Sequence, residues 1–310
     1  MKPLTGTKKE QAGILFAYFL IYVVWGSTYY FIGVALSGLP PFLLGAIRFS
    51  TAGLLLLAWC SYRDEPVLRK SLIKKSAVSG IVLLFVDMAV VMLAQQYVSS
   101  SLVAIVASST ALWILVFDVP RWKISFRTPA IIIGSICGFL GVAMLYIEQF
   151  SFDTPTQPHR EYGILLLIFG CISWALGTLY TKYHACDEEQ THAFAGSAWQ
   201  MLFASAMFWT VALCRGEIAR TDLRAVPPVA WQALLYLILF GSVLAYSAYI
   251  WLLKVRPATE VATHAYVNPF VAVFIGITFG KENVTGIQIA GLVMILLSIL
   301  LINQRNISHP

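Results

Sequence analysis

Apolar residues fall in ten runs separated by short polar breaks, at about 12–36, 41–62, 76–96, 101–118, 129–148, 161–183, 192–214, 230–252, 259–280 and 285–303. Each run approaches the roughly 20 residues that an α-helix needs to cross the hydrocarbon core of a bilayer. Prolines stand near the start of several runs, at Pro40-Pro41, Pro129 and Pro227-Pro228, where the missing N–H would have no partner anyway. The breaks are short, so consecutive helices are expected to be antiparallel neighbours. No polar stretch is long enough to hold a soluble domain.

The pattern repeats. Residues 98–146 and 255–303, 157 positions apart, each hold an apolar span, a polar break with a Lys, and a second span with a glycine at the matching place, Gly134 and Gly291. Further forward, Trp25 in the first span is matched by Trp174 in the sixth, and Arg48-Phe49 in the second by Gln200-Met201 in the seventh. The copies are residues 1–150 and 151–310. Five spans per copy is an odd number, so the second copy must be upside down relative to the first. The expected fold is an all-α membrane protein, with ten transmembrane helices as two inverted five-helix repeats around a central cavity. Secondary transporters built this way bind their substrate where the repeats meet.

Composition agrees with a polytopic membrane protein. Hydrophobic residues make up 59% of the chain and charged residues only 12%, against roughly a quarter in soluble proteins. With the N-terminus in the cytoplasm, 15 of the Lys and Arg residues fall on the inner side and 5 on the outer, with Arg48 left inside a span. That bias places both termini in the cytoplasm. The net charge of +6 therefore reflects topology and gives no reason to invoke nucleic acid. The basic start MKPLTGTKKE precedes a long span without a small-residue cleavage site, and reads as the lead into the first membrane helix. Five scattered cysteines show no CxxC or His/Cys ligand spacing, so no disulfide, metal or cofactor is expected.

Several motifs carry a likeness to a known family. In the first half these are Val24-Trp25-Gly26-Ser27-Thr28-Tyr29, Gly38-Leu39-Pro40-Pro41 and Arg48-Phe49. In the second half they are Gly241-Ser242, Ala248-Tyr249-Ile250-Trp251, Ala265-Tyr266-Val267-Asn268-Pro269 and Gly280-Lys281-Glu282. The chain resembles EamA-type carriers of the drug/metabolite transporter superfamily over essentially its whole length, and the Tyr-x-Asn-Pro run is the most specific part. The resemblance implies a cavity lined mainly by spans 1, 3, 4, 6, 8 and 9, export of small organic solutes, and the inner membrane of a bacterium. Three positions depart from the family pattern: Asp87 in a Val86-Asp87-Met88-Ala89 run where glycines near an Asn are common, Gln95 in place of a Glu, and His264 in place of a Tyr or Ser.

The candidate chemistry is sparse. Asp87 is the acidic residue near the middle of a span. A charge there costs about 2.5–3.5 kcal/mol on insertion scales, so it should face protein or water. It would bind a cationic group or a coupling proton, or else tie span 3 to a neighbour. Asn268-Pro269 lies near the middle of span 9, where Pro269 removes a backbone hydrogen bond and kinks the helix. Such a break suits a cavity wall, and the alternative is a packing kink with Asn268 bonded to the next helix. His264 lies one turn earlier on the same face, with a proton affinity suited to coupling or a structural hydrogen bond to make. Ser108 and Ser109, beside Thr110, would supply polar contacts from span 4, and Tyr246 would do so from span 8. Trp25, Trp113 and Trp174 fall near span centres, and the repeat-related pair Trp25 and Trp174 should meet near the pseudo-twofold axis. They form either an aromatic wall or packing. Trp59, Tyr62, Trp122 and Trp231 suit interfacial anchors. Glu260 is expected to cap span 9, and Arg48 and Lys182 to snorkel. Gly134-x-x-x-Gly138 permits close helix contact within the chain or in a weak dimer.

The expected function is a secondary active or facilitative transporter that exports an amino acid or an amphipathic, aromatic compound, as a monomer or weak dimer in the bilayer, with protons as a possible coupling ion. An intramembrane enzyme using Asp87 and His264 is an alternative, although no HExxH or Gly-x-Ser-x-Gly setting occurs. An oligomeric channel is another, and would need rings of charge or carbonyls. No Walker A motif is present to drive transport with ATP.

Overall fold

A computed structural model describes residues 8–98, 103, 106–125, 127–146, 160–185, 193–280 and 286–303, and all regular structure among them is helical. The start of the expected fourth span, Cys186, Lys281 and Glu282 lie outside the described residues. The main helices are α1 (Glu10–Leu36), α2 (Pro41–Tyr62), α3 (Lys70–Ala94), α4 (Val106–Phe117), α5 (Pro129–Tyr146), α6 (Glu161–His184), α7 (Ala193–Cys214), α8 (Pro228–Val255), α9 (His264–Gly280) and α10 (Gly286–Asn303). Of these, α1, α2, α3, α6, α7 and α8 are long and apolar enough to cross a membrane. Pro41, Pro129 and Pro228 open their helices, as their spacing predicts.

Two features depart from the expected spans. α3 begins at Lys70, before its apolar run, because the helix continues into a basic segment with Lys74 exposed. The ninth span is not one helix from 259. A short turn, Ala258–Val261, leads into tight i→i+3 bonds from Ala265 to Ala262 and from Tyr266 to Thr263, and α9 starts at His264.

Four helices also widen into π-helical stretches: Leu20–Val24 in α1, Gly80–Val86 in α3, Thr181–Ala185 at the end of α6, and Leu237–Tyr246 in α8. A π stretch shifts the hydrogen bond from i→i+4 to i→i+5 and leaves a carbonyl at the junction open to an outside donor. Those in α3 and α8 begin 157 positions apart, the spacing of the sequence repeat.

The most extensive packing pairs α2 with α7 and α5 with α10. α3 lies against α6 and α7, while α8 lies against α1 and α2; α4 lies against α6, while α9 lies against α1. Each of these contacts has a counterpart five helices further on. The α5–α10 seam is close because glycines line it. A Cβ on Gly134 would stand 2.8 Å from the Ile302 side chain, and one on Gly141 would stand 2.8 Å from the Gly291 carbonyl oxygen. A Cβ on Gly138 would meet Ser298 and Tyr266, so the Gly134-x-x-x-Gly138 face is used inside the chain. The outer surface carries exposed apolar side chains such as Leu15, Phe16, Leu165, Phe169, Leu297 and Leu300, which suits contact with lipid.

Candidate substrate cavity

Trp25 follows directly on the π stretch of α1, and its ring is the hub of an aromatic cluster. Trp174 of α6 meets it edge-on at 5.6 Å and 78°, Tyr249 lies at 5.0 Å, His264 at 5.1 Å and Tyr246 at 6.4 Å. The indole Nε1 of Trp25 donates to the Gly241 carbonyl at 3.0 Å, within the π stretch of α8. The indole of Trp174 donates to the Tyr249 hydroxyl at 3.2 Å, which also meets Thr178 at 2.5 Å. The two repeat-related tryptophans thus come together, as their positions predict.

The same device recurs on two more of the four π stretches, those of α3 and α1. Ser173 of α6 donates to the Val82 carbonyl in α3 at 2.6 Å. Three carbonyl oxygens surround the Asn268 carboxamide, so its nitrogen faces them: His264 at 3.0 Å, and Ile21 and Tyr22 of the α1 π stretch at 3.1 Å each. Asn268 therefore ties the kinked α9 to the widened part of α1. The approach is close. A Cβ on Gly26 would lie 2.6 Å from the Val271 Cβ and 3.1 Å from the Asn268 carbonyl oxygen, a contact only glycine allows. One turn away, Tyr22 and Thr263 share a hydroxyl hydrogen bond of 2.6 Å.

These contacts enclose a cavity of about 80 Å³ between α1, α2, α3, α4, α6, α8 and α9. Asp87, the first residue after the π stretch of α3, faces it while only 8% exposed. Gly170 of α6 makes room for the carboxylate, since a Cβ there would be 3.3 Å from Oδ1. Among the described residues Asp87 has no hydrogen-bond or ion-pair partner. His264, also on the wall, donates from Nδ1 to the Val261 carbonyl at 2.9 Å. A carbonyl can only accept, so in the neutral form of the ring Nε2 is an acceptor, with no hydrogen-bond partner among the described residues. Tyr246 donates to Oε1 of Gln200 at 2.5 Å and is almost wholly buried.

The sequence profile of the EamA-like transporter family matches residues 11–147 and again 161–304. The chain belongs to the EamA-like transporter family. It is a multi-pass membrane transporter. It is 32% identical over 303 residues to the "Uncharacterized inner membrane transporter YedA" of Escherichia coli strain K12, covering 95% of this chain and 92% of that protein. It is 24% identical to the "Uncharacterized transporter YvbV" of Bacillus subtilis strain 168, covering 96% and 93%. A solved crystal structure superposes with a TM-score of 0.77 at 19% identity, over 96% of this chain and 99% of that one, and shares the fold.

In this EamA-like chain, the cavity gathers Trp25, Asp87, Trp174, Tyr246, His264 and Asn268, with Pro269 in the backbone behind them. It does not gather Ser108, Ser109 or Trp113. Ser108 is buried, Ser109 donates to the Val106 carbonyl at 2.7 Å, and Trp113 stacks on Phe117 at 5.7 Å. α4 turns Ala107 and Thr110 to the cavity instead. Gln95 lies in a separate open cleft with Ser37, Gly38 and Pro40.

Two expectations for charged residues are corrected. Arg48 does not snorkel: it is 6% exposed, lines the cavity, and donates from Nε to the Ser242 hydroxyl at 2.8 Å. Lys182 reaches the Leu253 and Arg256 carbonyls at 2.5 and 2.7 Å, where a cation favours the end of α8. Glu260 stands in the first turn of the short helical turn that opens the ninth span, as expected, where it also accepts from Tyr18 at 2.9 Å and pairs with Arg256 at 3.7 Å. Arg48 is the cavity residue that span reading missed. Its signal was there, as the cation left well inside a span.

Proposed function

We propose that the protein exports a small organic solute, an amino acid or an amphipathic aromatic compound, across the cytoplasmic membrane by alternating access, with the central cavity as its site. The observation that carries this reading is Asp87, a carboxyl group buried in an apolar helix, facing a cavity and without a hydrogen-bond or ion-pair partner among the described residues. Intramembrane ionisable groups mark substrate or ion pathways.

The architecture proposed with it is ten transmembrane helices in two inverted five-helix units, residues 1–150 and 151–310, with both termini in the cytoplasm. Support comes from the pairing of helices five apart, from the π stretches spaced 157 positions apart in α3 and α8, and from the double match of the family profile. Rocking one unit on the other would open the cavity alternately to each side. Its present volume of about 80 Å³ is below the roughly 300 Å³ of small-molecule pockets, so admitting a solute requires the helices to part. In this scheme Trp25, Trp174, Tyr246 and Asn268 form the wall, Pro269 is the kink, and Asp87 and His264 are the groups placed to exchange a coupling proton.

The test is counterflow of radiolabelled solutes in proteoliposomes holding the full chain. Saturable counterflow is expected, and Asp87→Asn should abolish it, or uncouple it from a pH gradient, while the protein stays monodisperse. Normal saturable transport in that variant removes Asp87 from the mechanism. A conductance that does not saturate points to a channel.

A further inference from the structure

Two ionisable side chains, one acidic and one basic, face the cavity from different helices, yet they form no ion pair with each other. Arg48 uses Nε on Ser242 and stacks over its own Phe49 ring at 4.9 Å. Its Nη2 lies against the backbone of Gly241, 3.2 Å from where a Cβ would stand. A guanidinium has five N–H donors, and among the described residues only one of Arg48's is taken. Asp87 is likewise buried, turned to the same cavity and unpartnered. A direct ion pair would relieve both groups, since a buried charge is costly unless paired and hydrogen-bonded. The fold holds them apart instead, with Ser242 fixing one and the Gly170 gap admitting the other.

We propose that the cavity binds a small zwitterion, its carboxylate held by Arg48 and Ser242 and its ammonium by Asp87. One guanidinium and one carboxylate balance one anionic and one cationic group, whereas a purely cationic or purely anionic solute would leave one wall charge unsatisfied. The planar guanidinium fork suits a carboxylate in two-pronged contact. Arg48 and Ser242 are thereby assigned as a specificity-determining anion subsite. Translocation of the zwitterion rests on the transporter reading above; binding does not.

The experiment uses matched probes on the full chain: alanine, leucine, phenylalanine and γ-aminobutyrate, each with the amine lacking its carboxylate and the acid lacking its amine. Thermal stabilisation in detergent reads binding, and proteoliposome counterflow reads transport. At least one zwitterion should stabilise the protein, with its amine and acid each about 10-fold weaker or worse, the loss expected for one charge-assisted contact. Arg48→Gln should weaken that zwitterion by about 10-fold or more, and Arg48→Lys should recover part of the loss. If Arg48→Gln does not yield monodisperse protein, Ser242→Ala and the native probe series decide. Equal binding of amine and zwitterion, equal binding of acid and zwitterion, or no binding of any zwitterion in the set overturns the proposal. Stabilisation without counterflow supports the zwitterion site and fails the transport reading. Saturable transport of amines or acids alone keeps that reading and overturns this one.

Discussion

At the scale of single residues, the cavity is built by side chains that satisfy another helix's backbone. Asn268 shows this most plainly, because its amide faces carbonyls in both α9 and α1. Asn268→Ala should leave carbonyls in the α1 π stretch unpaired, at about 1–3 kcal/mol for each one orphaned. Asn268→Asp should be worse, since a carboxylate would face three acceptors. Melting temperatures in detergent check both, and an Asp variant as stable as the native protein would refute the clamp. Trp25→Phe keeps the aromatic packing and removes the donor to Gly241, so a smaller loss, near the lower end of that range, is expected in the same assay. Residue reading recovered much of this set. Asp87 was visible because a carboxylate in an apolar run has few explanations, and Trp25 with Trp174 because the repeat aligned them. Arg48 stood out only as a cation inside a span, and its place on the cavity was missed because a span's sequence does not say which neighbour stands over each of its faces. Ser108 and Ser109 were misplaced relative to the cavity for a related reason: each residue turns a helix by about 100°, so Ala107 and Thr110 take the face instead.

At the scale of elements, apolar runs and prolines predicted where helices lie, but not where they widen or break. Three of the four π stretches meet donors from other helices: Trp25 for α8, Ser173 for α3 and Asn268 for α1. Such tertiary capture leaves no local sequence mark beyond an occasional glycine such as Gly80 or Gly241. The α1–α9 crossing is held at a separation set by Gly26, where a side chain would strike Val271 and the Asn268 carbonyl. Gly26→Val should force these helices apart and destabilise by about 1–3 kcal/mol, the usual cost of overpacking. Thermal denaturation beside a control at exposed Leu15 measures it, and a shift no larger than the control's would count against the close crossing.

At the scale of the whole molecule, the pairing of α5 with α10 lies apart from the cavity, while α1, α3, α6, α8 and α9 surround it. Under the alternating-access reading, a division follows between a fixed seam and moving walls. Gly141→Val should lower the melting temperature, because a side chain there strikes the Gly291 carbonyl, yet leave counterflow per folded molecule intact, because that seam need not open. Gly26→Val, at the α1–α9 crossing, should lower both. Equal loss of counterflow per folded molecule in the two variants would argue against a rigid seam.

The widened turn ahead of Asp87 has a consequence of phase. Everything after Gly80–Val86 points where it does because that stretch carries its residues on wider turns. Shortening it by one residue would leave Asp87, Met88 and Val91 chemically intact but rotate them together by about 100° about the axis of α3. The carboxylate would then turn from the cavity toward a neighbouring helix or lipid. In this protein a deletion that removes no cavity side chain can therefore erase the site, and the angular setting of a helix is as much a part of its selectivity as the residues it carries.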